Sequence, residues 1–111
     1  MDQEISDVIV ARLFLDPMIA NSVEVVQVVD GTARLHLSLP PGVEPNNSAA
    51  TSLNALALRV ISMLNAASES DLWCSMSSCE MLPIQTIDEG KVVLPLKVNF
   101  TVAKGDSYGP A

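Results

Sequence analysis

The sequence predicts an α+β domain over residues 1–103. It has a mostly antiparallel sheet from two hairpins, a long amphipathic helix packed on one face, and a possible N-terminal helix. Three observations predict it. Residues 23–39 hold two strand-like runs joined by Asp30-Gly31. Residues 48–67 carry apolar side chains at helical spacing. Residues 72–103 alternate again around a turn at Asp88-Glu89-Gly90.

Residues 2–15 open with Asp2, Glu4 and Asp7 and carry Arg12 later, which suits a helix dipole. Their middle, Val8 to Leu15, is almost continuously apolar and fits a buried strand as well. Helix is preferred. Asp16-Pro17 ends the segment, because the residue before a proline avoids the α region. Val23 to Val29 is rich in β-branched residues. Asp30-Gly31 tolerates the positive φ of a two-residue hairpin turn. Ala33, Leu35, Leu37 and Leu39 then alternate with Thr32, Arg34, His36 and Ser38, giving one apolar and one polar face.

Pro40 to Pro45 forms a stiff loop, and Asn46, Asn47 or Ser48 can cap the next helix. In residues 48–67 the stripe Leu53, Leu56, Ala57, Val60, Leu64 and Ala67 faces the core. Glu69-Ser70-Asp71 ends the helix. In the next strand the apolar parity passes from Leu72, Cys74 and Met76 to Cys79 and Met81, as a β-bulge would make it. Pro83 marks a bend or an edge. The last strand places Val92, Leu94, Leu96, Val98, Phe100 and Val102 on one face. Pro95 cannot donate to a ladder, so this strand is expected to be exposed along at least one edge there. Residues 104–111 form a flexible tail.

Composition narrows the function. The chain has 111 residues, 13 Asp and Glu against six Lys and Arg, and a net charge of −7. With 49% hydrophobic and 17% charged residues it is not a disordered chain. The acidic balance argues against direct recognition of nucleic acid. No apolar run approaches the about 18 residues of a membrane span. No basic, apolar leader opens the sequence, so Cys74 and Cys79 are expected as reduced thiols in a reducing compartment. The sequons at Asn46-Asn47-Ser48 and Asn99-Phe100-Thr101 then read as accidents of composition.

No catalytic constellation stands out, and the chain reads as a non-enzyme with no cofactor. Cys74-x4-Cys79 with the single His36 falls short of a zinc site, which takes four ligands. His36 lies on a polar strand face beside Arg34 and Ser38, where a solvated imidazole is the plain expectation. A triad would require His36 to meet Cys74 or Cys79 in space. Trp73 reads as half-buried core or as an interface anchor.

The outer face of the long helix is more telling. Thr51, Ser52, Asn54, Ala55, Leu58, Ser62, Asn65 and Ala66 lie there, and Arg59 is the single charge between residues 46 and 68. A solvated face normally carries Lys–Glu pairs. The alternatives are a weakly polar surface and a face on which something packs. Thr51, Leu58 and Ser62, with Val93 and Pro95 of the last strand, are the candidate oligomer interface.

From Ala33 onward the layout resembles the tail terminator proteins of long-tailed bacteriophages. The strand Ala33-Arg34-Leu35-His36-Leu37-Ser38-Leu39-Pro40 runs into a loop, a long helix matches residues 48–67, and a two-strand arm matches Leu72 to Val102. The resemblance implies a virion component, assembled in the host cytoplasm. Such proteins form rings, often hexamers, at the end of the tail tube and contact other virion proteins. The order helix, hairpin, helix, hairpin also resembles roadblock-type dynein light chains, which implies a dimeric adaptor. Iron–sulfur scaffold domains share part of the order but require cysteines between Pro40 and Ser48, where there are none.

Overall fold

The computed structural model describes residues 2–39, 47–70, 74–87 and 90–102. Helix α1 (Asp2–Leu13) and the single turn α2 (Pro17–Ala20) precede a hairpin of β1 (Val23–Val29) and β2 (Thr32–Ser38). Helix α3 (Asn47–Ser70) follows, then β3 (Cys74–Met81), β4 (Gln85–Ile87) and β5 (Lys91–Val102). The expected α+β architecture is present, with helices set against a mostly antiparallel sheet. The segment over residues 5–15 is a helix as far as Leu13. Its apolar run buries Ile5, Val8, Ile9 and Leu13, which recur at helical spacing while the residues between them face outward.

The strand order is β1-β2-β5-β3, with β4 also paired to β5. Every pairing is antiparallel. The last strand in sequence is therefore the central one. It runs between β2 on one side and β3 and β4 on the other, and α3 carries the chain from β2 across to β3. The turn between β1 and β2 has Asp30 at φ 51° and Gly31 at φ 84°, the pair of positive values that a type I′ turn requires. The carboxylate of Asp2 accepts hydrogen bonds from both turn amides, Asp30 at 3.1 Å and Gly31 at 3.0 Å. The first residue of α1 thus clamps the hairpin tip.

The core lies between the sheet and the two long helices. Ala33, Leu35 and Leu37 of β2, Leu94, Leu96 and Val98 of β5, Ile5 and Ile9 of α1, and Leu53, Ala57, Val60 and Leu64 of α3 are all buried. Each large side chain there contributes about 1.5–3 kcal/mol through removal from water. The expected bulge in β3 falls between Met76 and Ser78. A second one, at Val26 in β1, is not evident in the sequence.

Pro95 requires a correction. It sits in the central strand, opposite His36, and is buried. The carbonyl of Pro95 accepts from the amide of Leu82 at 2.9 Å, so its nitrogen faces the same side. There β3 has ended at Met81 and β4 has not begun until Gln85. The absent donor falls in a gap between two short partner strands, so the proline needs no free edge. The Pro40–Pro45 loop, Trp73, the Asp88-Glu89 part of the second turn and the 104–111 tail lie outside the described residues. Gly90, which closes that turn, has φ 88°.

Candidate functional site: two opposed surfaces

The pleat sorts the residues singled out by chemistry. His36 pairs with Pro95, and Cys79 with Val98. Pro95 and Val98 are three apart on one strand, so their side chains, and those beside them, take opposite faces. His36 is on the open face, whereas Cys79 packs against the core. The sheet separates imidazole from thiol. Cys74 pairs with Val102, four residues from Val98, which sets the two cysteines about 13 Å apart along the strand and out of disulfide reach. Burial pushes the Cys79 thiol up, away from the thiolate form a nucleophile needs. Among the described residues no group of three His, Cys, Asp or Glu gathers as a metal site would require. Among them also, no helix is long and apolar enough to cross a membrane.

Asn99 of the second sequon sits mid-strand in β5. Its amide oxygen accepts from the Thr32 hydroxyl at 2.7 Å and its nitrogen donates to the Ser78 hydroxyl at 2.8 Å. The side chain ties three strands together on the open face.

The candidate interface divides in two. Thr51, Leu58 and Ser62 are exposed on the outer side of α3. Val93 and Pro95 are buried within the chain and offer no surface. The structure adds Leu15 of the α1–α2 turn and Met18 of α2. Leu15 is 82% exposed, Met18 is 71% exposed, and Leu58 is 61% exposed. Leu58 precedes Arg59 in sequence, and Leu15 precedes Asp16. Its carboxylate accepts from Arg59 Nη2 at 2.8 Å and from the Met18 amide at 3.0 Å, where it caps α2. The lone charge on the outer face of α3 is thus spent on holding the α1–α2 turn. Three exposed apolar residues, Leu15, Met18 and Leu58, thus lie within two positions along the chain of a member of that ion pair. The turn residues escape sequence analysis because the Asp16–Arg59 pair spans 43 positions.

The opposite side of the sheet is polar around Arg34 and Lys97. Gln27, Arg34, Lys97 and Glu80 form one row across β1, β2, β5 and β3. Arg34 and Lys97 stand directly opposite one another. With Gln27, Val29 and Thr32 they line a shallow hollow of about 380 Å³. The chain matches no protein-family model, no curated protein and no solved structure.

Proposed function

We propose that this chain is a non-enzymatic subunit that self-associates through its helical side, as a ring component at the end of a phage tail. The exposed cluster of Leu15, Met18 and Leu58 around the Asp16–Arg59 pair carries the reading. Single exposed apolar residues are ordinary, but large ones gathered on one face mark a protein contact. An ion pair at the centre of such a face supplies register as well as area. The order of elements supports the finer reading, since helix, hairpin, long helix and two-strand arm is the layout that suggests a tail terminator.

Mass in solution by light scattering, across protein and salt concentrations, tests it. A hexamer or larger ring, dissociated by Leu58→Asp without loss of helical circular dichroism, supports the proposal. A dimer turns the reading to the adaptor. A monomer at every concentration overturns self-association, and an unchanged mass for L58D removes this face from the interface.

A further inference from the structure

We infer that the open sheet face around Arg34 and Lys97 docks the acidic helical side of a second copy, so that subunits join head to tail. This rests on the self-association proposed above and names the surface that completes it.

The charges carry the inference. The chain holds only six Lys and Arg against 13 Asp and Glu. Two of the six stand opposite each other on β2 and β5, with their side chains on one face. Like charges in that relation repel within the monomer. Glu80 is next to Lys97 across β3, yet no carboxylate of the described residues lies within 4.0 Å of either cation. The pair is left as a cationic spot on an acidic molecule. Beside it Gln27 offers hydrogen bonds, and Val29 is an exposed apolar residue.

The helical side carries the complement. Asp7 is exposed on α1, and the same helix exposes Val10 further along, ahead of Leu15 and Met18. Acid followed by apolar surface on the helices suits cation beside apolar surface on the sheet. The two patches lie on opposite sides of the sheet. A contact between them is heterologous, leaves a free patch at each end, and closes only as a ring.

Arg34→Glu and Leu58→Asp test it together, with Lys91→Glu as a control of equal charge change at the exposed start of β5. R34E and D7K are each expected to weaken association on the order of tenfold, while K91E does not. At a concentration where R34E and L58D are each monomeric, mixing them leaves one intact sheet face and one intact helical side. A one-to-one mixture is then expected to give a heterodimer and nothing larger. If R34E associates like wild type, the sheet face is not the partner, though self-association stands. If the mixture stays monomeric, the two patches do not meet each other, and the inference fails. If D7K has no effect, the acidic helix is not the complement. If wild type is monomeric throughout, the proposed function fails first and takes this inference with it.

Discussion

Asp16 receives two donors that differ in worth, and substitution can separate them. Asp16→Asn keeps an oxygen for the Met18 amide but loses the charge opposite Arg59. Because that pair is part-exposed, its loss costs about 0.5 kcal/mol. Asp16→Ala removes the cap as well and costs roughly 1 kcal/mol more. The difference between the two urea midpoints checks the division. Asp2→Ala, which strips the clamp from the hairpin tip, is expected to cost about 1–2 kcal/mol by the same measurement. Cys79 gives a pH-dependent readout. Burial raises its folded pKa above the ordinary 9.0, so the native protein holds its proton more tightly than the unfolded chain. Its thiol contribution to stability is intact below that value and lost as pH rises through the folded one. Alkylation near pH 9 should therefore run slower at native Cys79 than in urea. An equal rate in both would show the thiol to be exposed. The Asp2 clamp and the Asp16–Arg59 pair are not legible in the sequence, because their partners lie 28, 29 and 43 positions apart. Acids at Asp2 and Asp16 read only as helix-dipole partners and breakers.

Local chemistry decides which elements can be read in advance. The first hairpin is legible because alternation and Asp30-Gly31 act over a few residues and agree with each other. So is α3, whose stripe at Leu53, Ala57, Val60 and Leu64 is buried as the spacing requires. The helix extends one residue before and three residues beyond its expected range, as weak capping signals allow. The turn α2 is missed, although Asp16 as N-cap and Pro17 at N1 are its signal, because they also read as a break. The second hairpin shows a related limit. Pro83 signals a bend, but not that the bend would split one partner strand into β3 and β4 and leave a gap at Pro95. Gly90 makes a clean test of backbone conformation. A methyl group there would meet nothing within 4 Å, so Gly90→Ala reports φ 88° alone. The cost is expected to be about 1 kcal/mol, with Gly90→Asn milder. No shift in thermal midpoint for Gly90→Ala would mean that the turn relaxes.

At the scale of the whole molecule, strand order is what the sequence leaves unread. Turns pair the strands within each hairpin, but nothing local says that β2 stands beside β5. Val93 and Pro95, expected at an interface, are buried within the chain, whereas Leu58 is exposed as its helix face alone implies. Leu35 lies where β2, β5 and the helices meet and is fully buried. Leu35→Ala should therefore cost about 2–5 kcal/mol, against a few tenths for Leu58→Ala on the surface. Equal effects would place Leu58 in the core. The central position of β5 also governs how the chain reaches this state. The bond from Thr32 to Asn99 closes a separation of 67 residues. On a ribosome the middle of the sheet is synthesised after everything it joins, so β2 and β3 wait with open edges while α1 and α3 are already complete. High contact order of this kind slows folding, and the waiting edges are the form most prone to mispairing. Expression at lower temperature, or slower depletion of chaperones, should raise the yield of soluble protein more than any change to the finished surface.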